Sequence, residues 1–163
     1  MNSRVKLTRL VMAHFWLAFA TFLVAVLLGM GQVLERAELI PVWAEGYYMS
    51  VTAHGMIMAY VMTTFFIAGF GYATAASSLD RPVWNIPLAW LGYLVMLTGV
   101  LMVVYSIVTR QGTVMYTFYP PLTAHWTLYV GAALLLVVFM VTNFGYPIFQ
   151  FFLMDTHNAL PWR

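Results

Sequence analysis

The chain of 163 residues contains no cysteine and few charges, with seven lysines and arginines against five acids. The missing thiols exclude a disulfide framework, a thiolate metal site and the covalent attachment of a c-type haem. A charged fraction of 7% is far below the roughly 25% of a soluble globular domain. No segment has the composition of a water-soluble domain, and neither an internal repeat nor a low-complexity stretch is evident. A net charge of +2 gives no reason to expect a nucleic-acid partner.

Apolar residues fill the space that charges leave, at 63% of the chain. A membrane-spanning helix needs about 20 apolar residues to cross about 30 Å of hydrocarbon. Runs nearly free of charge cover roughly residues 10–33, 48–75, 86–108 and 122–153, which predicts an all-α integral membrane protein with four transmembrane helices in a single region, residues 1–163. Arg4, Lys6 and Arg9 precede the first run as in a signal peptide, but the run is long and has no small-residue cleavage site, so it reads as a retained helix. Prolines and rings order the loops: Pro82, Trp84 and Pro87 in ASSLDRPVWNIP, and Gly112, the tyrosines and Pro120-Pro121 in TRQGTVMYTFYPPL.

Orientation follows from basic residues in the short loops. With the N-terminus inside, Arg4, Lys6, Arg9, Arg81 and Arg163 share the inner side, and only Arg36 and Arg110 lie outside. The expectation is a multi-pass protein of the cell membrane with both ends cytoplasmic.

Candidate chemistry rests on four histidines. His14 falls near the inner end of the first helix, His54 and His125 near the outer ends of the second and fourth, and His157 in the inner tail. A neutral imidazole is a common metal ligand, and an ionisable group inside a membrane marks a functional site by default. A histidine one turn from the interface also serves merely to hydrogen-bond a carbonyl or headgroup. That plainer reading suits His14, His157 and His125, the last being followed by Trp126 in an aromatic-belt position.

His54 has more around it. Gly55, Ala59 and Thr63 form a stripe of small residues at intervals of four, beside an adjoining stripe of His54, Met58, Val61 and Phe65. The two predict a face that admits a neighbouring helix or a flat ligand such as haem, although small stripes in membrane helices commonly mean packing alone.

TAHGMIMAYVMTTFF, residues 52–66, resembles the second helix of subunit I of the haem-copper terminal oxidases. TVMYTFYPPL, residues 113–122, resembles the loop between helices three and four of the B-type members. SSLDRP and HWTLYVGA also fit, so that the likeness runs roughly from Leu27 to Val138 and is weak in the first helix, where LGMGQVL offers only Gly29 and Gln32. The resemblance implies the twelve-helix oxidase fold, of which this chain supplies four helices. It also implies that His54 is an axial ligand of a low-spin haem b. Tyr116 and Tyr119 would give shape and hydrogen bonding near that haem. The partners implied are the remaining helices of subunit I or a complementary chain, subunit II with its copper centre, a cytochrome c or cupredoxin donor, and membrane lipid.

In that family the second axial histidine, the copper ligands and the high-spin haem ligand come from later helices, so no catalytic residue is assigned in this chain. The high-spin haem and copper are expected only in the complete subunit. MNSRVKLTRL reads as a natural N-terminus and ALPWR follows directly on a membrane helix, which fits the first part of a longer subunit or a split or truncated relative. Two other expectations compete: a self-contained four-helix cytochrome b with haem between His54 and His125, and a membrane scaffold or assembly partner without cofactor.

Overall fold

The computed structural model describes residues 3–41, 44–78, 80, 83 and 85–142. Helix α1 runs Ser3–Arg36. A second long helix consists of α2, Ala44–Met56, a π-helical stretch, Ile57–Met62, and α3, Thr63–Ser78. Helix α4 runs Ile86–Val108 and α5 runs Trp126–Met140. The protein is an all-α integral membrane protein: α1, the long second helix and α4 are long and apolar enough to cross a bilayer, and α5 is a shorter apolar helix.

The helix ends follow local chemistry. The first helix exceeds the apolar run at both ends, reaching back through Lys6 and Arg4 and out to Arg36, since long basic side chains continue a helix while their charges reach the interface. Beyond Arg36, Glu38 takes a left-handed φ of 58°, and the amides of Glu38 and Leu39 donate to the carbonyls of Glu35 and Leu34. This is a Schellman closure. The end of α4 repeats it, with Arg110 at φ 61° and the amides of Arg110 and Gln111 donating to Ile107 and Ser106. The Asn85 side chain caps α4 by accepting from the Leu88 amide at 3.0 Å.

The fourth helix starts at Trp126, later than the apolar run at residue 122. The His125 amide donates to the Gln111 carbonyl at 2.8 Å, which holds the chain extended there until His125 caps the helix. Residues 143–153 of the fourth expected span, together with Arg81, Trp84, His157 and Arg163, lie outside the described residues.

Three buried layers stack along the bundle. Leu10, Val11, Tyr72, Val83 and Ala89 fill the end near the N-terminus. Ala18, Val61, Phe65, Met96, Val100 and Leu135 form the middle. Met56, Val103, Val114, Leu128 and Ala132 close the opposite end, where Val114 brings the loop between α4 and α5 into the core. Helices α4 and α5 cross at two glycines: a Cβ on Gly99 would lie 2.7 Å from the Gly131 carbonyl oxygen, and one on Gly131 would lie 2.6 Å from that of Gly99. Outward faces carry Trp16, Leu23, Leu101 and Val108, all well exposed, as suits helices surrounded by lipid or further apolar helices.

Candidate functional site

His54 stands nearly three turns past the start of α2 and turns its half-buried ring toward α1. Its Nδ1 lies 2.8 Å from the carbonyl oxygen of Ala25. A carbonyl only accepts, so Nδ1 carries a proton, and Nε2 is the ring nitrogen through which a metal could be met. One turn along α1, Gly29 makes room for the ring: a Cβ there would sit 3.0 Å from His54 Cε1 and 3.2 Å from Nδ1. The imidazole is therefore fixed in rotation and in tautomer by α1. A histidine that ligates a metal through one nitrogen is commonly held in this way through the other.

The neighbours of His54 in TAHG face elsewhere. Thr52 is buried, donates its hydroxyl to the Tyr48 carbonyl at 2.8 Å and accepts the backbone amide of Met115 at 2.9 Å. Gly55 lies under the Tyr116 ring, and a Cβ there would come within 2.4 Å of Cδ1 and 2.7 Å of Cβ and Cγ. Tyr60 donates to the Tyr116 carbonyl at 3.2 Å. The two segments that carry the family resemblance are thus built against each other, with Met115 and Phe118 in left-handed conformations that shape the loop. Tyr116 contributes shape, and Tyr119 is largely exposed.

The stripe of Gly55, Ala59 and Thr63 does not form a continuous docking face. The π-helical stretch over Ile57–Met62 shifts the register after one turn, so that Gly55 is buried under Tyr116 while Ala59 is exposed. The companion stripe survives because it leads into the core: Met58 is half-buried, and Val61 and Phe65 are buried in the middle layer.

The other described histidines are engaged differently. His125 caps α5 by accepting from the Thr127 amide at 3.5 Å, with the Thr127 hydroxyl 3.0 Å from the same Nδ1. An Nδ1 that accepts leaves the proton on Nε2, the opposite tautomer to that of His54. Its ring packs beside Tyr105 of α4 and Trp126, whereas the contacts of His54 are on α1. The ring contacts of the two histidines thus fall on different helices. His14 is 1% exposed and lies about three turns into α1, deeper than the apolar run suggested. Its Nδ1 donates to the Leu10 carbonyl at 2.9 Å, and Phe65, Tyr72 and Tyr93 surround the ring. It is a satisfied core histidine. Among the described residues, no group of three or more histidines and acids could hold a metal ion.

Two features suit His54 to holding a metal through Nε2: its Nδ1 is engaged by the Ala25 carbonyl, and Gly29 leaves room where a larger residue would push the ring aside. Nothing in the local sequence marks Ala25 or Thr52 as partners in these contacts. Both act through contacts with segments 29 and 63 residues away.

Known proteins share both the sequence pattern and the fold. Residues 9–161 match the family described as cytochrome C and quinol oxidase polypeptide I. Over 92 residues, or 56% of its length, the chain is 35% identical to cytochrome c oxidase subunit 1 of Thermus thermophilus, of which it spans 16%. A chain of a heme-copper terminal oxidase dimer solved by cryo-electron microscopy matches 95% of this chain with a TM-score of 0.80 and 31% identity, and this chain spans 28% of it.

Proposed function

This chain belongs to the cytochrome c and quinol oxidase polypeptide I family, and on that premise we propose that it works as part of a respiratory oxidase subunit I, where His54 is an axial ligand of the low-spin haem b. The single observation that carries this reading is the Nδ1–H of His54 bonded to the Ala25 carbonyl. It leaves Nε2 free for a metal and stops the ring from rotating. Gly29 and the α1 backbone form one wall beside it. When bound, the haem supplies one-electron redox chemistry.

The protein's share of the work is orientation and exclusion of water. Thr52 and Gly55 fasten the outer loop over the same end of α2, which keeps the aqueous phase from the outer end of the site. Val61 and Phe65 seal the inner side with apolar contacts. The second axial ligand, the high-spin haem and the copper belong to the remaining helices of subunit I or a complementary chain, and electrons come from a cytochrome c or cupredoxin through subunit II. The complete enzyme reduces oxygen to water with proton translocation. In the cell membrane the N-terminal end of α1 faces the cytoplasm, as the excess of basic residues there favours.

The self-contained cytochrome b reading requires His54 and His125 on one haem, and the capping role of the His125 Nδ1 weighs against it. The experiment that separates these readings, and the cofactor-free scaffold, compares the purified chain with the chain co-expressed with later helices of the subunit. Oxygen uptake blocked by cyanide is expected only on co-expression. A bis-histidine haem spectrum from the chain alone supports the cytochrome, and a complex that assembles without haem supports the scaffold.

A further inference from the structure

Gln32 is half-buried and carries a donor that the described residues leave unused. Its Nε2 is shielded from solvent and has no hydrogen-bond partner among the described residues. An unmade buried hydrogen bond costs about 1–3 kcal/mol, so such a group is expected where a partner arrives with a ligand.

The position of Gln32 is bracketed by contacts between α1 and α2. Ala25, Gly29, Gln32 and Arg36 follow one another at helical spacing and share one face of α1. Ala25 and Gly29 meet the ring of His54. Arg36 donates to the Tyr47 hydroxyl at 2.8 Å through Nε, and Tyr47 lies about two turns before His54 on α2. Gln32 falls between these two points, about 4.5 Å along the axis from Gly29 toward the Arg36 end.

We propose that the carboxamide of Gln32 donates a hydrogen bond to a propionate carboxylate of the haem held by His54, and thereby tunes the potential of that haem. The inference rests on the assignment of His54 as axial ligand. The rim of haem b is hydrocarbon apart from its two propionates, so these are the acceptors that a buried amide donor beside it could meet. Carboxylates are drawn to the nearer aqueous face, which for His54 is the Arg36 end of α1. A hydrogen bond to an ionised acceptor is among the stronger kinds. It withdraws negative charge that would otherwise favour ferric iron, so losing it favours the oxidised haem. Gln32 is therefore a positioning and tuning residue rather than a catalytic one.

The test uses the assembled oxidase in its membrane, with Gln32→Leu and Gln32→Met as variants that keep the side-chain bulk and lose the donor. Two quantities are read: the midpoint potential of the low-spin haem by spectroelectrochemical titration, and the carboxylate stretching band of isotopically labelled propionates in redox difference infrared spectra. The expected result is a midpoint below that of the parent together with a shifted propionate band, in either variant that assembles. An unchanged midpoint and an unchanged band, with the His54-dependent spectrum intact, would overturn the role of Gln32 alone. A variant that is merely less stable, with both readouts at the parent value, overturns that role as well. A low-spin spectrum that survives His54→Ala would instead overturn the underlying assignment.

Discussion

The hydroxyl of Thr52 accepts the backbone amide of Met115 at 2.9 Å across 63 residues of chain. Thr52 precedes His54 by two residues and is buried, so one side chain joins the ligand-bearing helix to the loop between α4 and α5. Thr52→Val keeps the shape and removes the acceptor. It is expected to destabilise the protein by about 1–3 kcal/mol, because the Met115 amide is left without its partner. Faster hydrogen exchange at Met115 with the haem spectrum retained is the signature, and Thr52→Ser is expected to restore protection.

Gly55→Ala places a methyl group within 2.4 Å of the Tyr116 ring. The loop has to shift, at a cost of about 1–3 kcal/mol for overpacking. Thermal denaturation of the detergent-solubilised protein measures that loss. Tyr116→Ala combined with Gly55→Ala is expected to recover part of it by removing the clash, and strictly additive losses would place the ring elsewhere.

The apolar runs mark the long helices, three of them long and apolar enough to cross a bilayer and the fourth a shorter apolar helix among the described residues, because a membrane span carries its signal in its own composition. The departures came from effects that composition does not encode. Nothing in IMAYVM marks the π-helical stretch, which contains neither proline nor glycine, yet it exposes Ala59 and breaks the expected stripe. The depth of His14 was hidden because α1 continues back to Ser3 through basic residues. His54 stood out as an unusual residue in an apolar run. Its tautomer depends on a carbonyl of another helix, and a backbone carbonyl has no residue-type signature.

His125→Ala is expected to leave the low-spin spectrum in place. Its cost is that of a weak helix cap, about 0.5 kcal/mol, read as a small drop in thermal stability. Loss of haem from this variant would favour the four-helix cytochrome b.

With the basic N-terminal end inside, the turn after α1 lies outside and the end of α3 inside. In a chain without native cysteine, Ala37→Cys is expected to react with a membrane-impermeant thiol reagent applied to intact cells, and Ser77→Cys only after permeabilisation. The reverse pattern would invert the topology.

The most direct measurement is the reduced-minus-oxidised absorbance spectrum of the assembled complex carrying His54→Ala. The substitution deletes the ring that Ala25 and Gly29 hold and leaves the apolar length of the helix unchanged, so membrane insertion is expected at the parent level. The low-spin b-type band is expected to disappear from a complex that still assembles. A band of undiminished height at the same wavelength would contradict the His54 assignment.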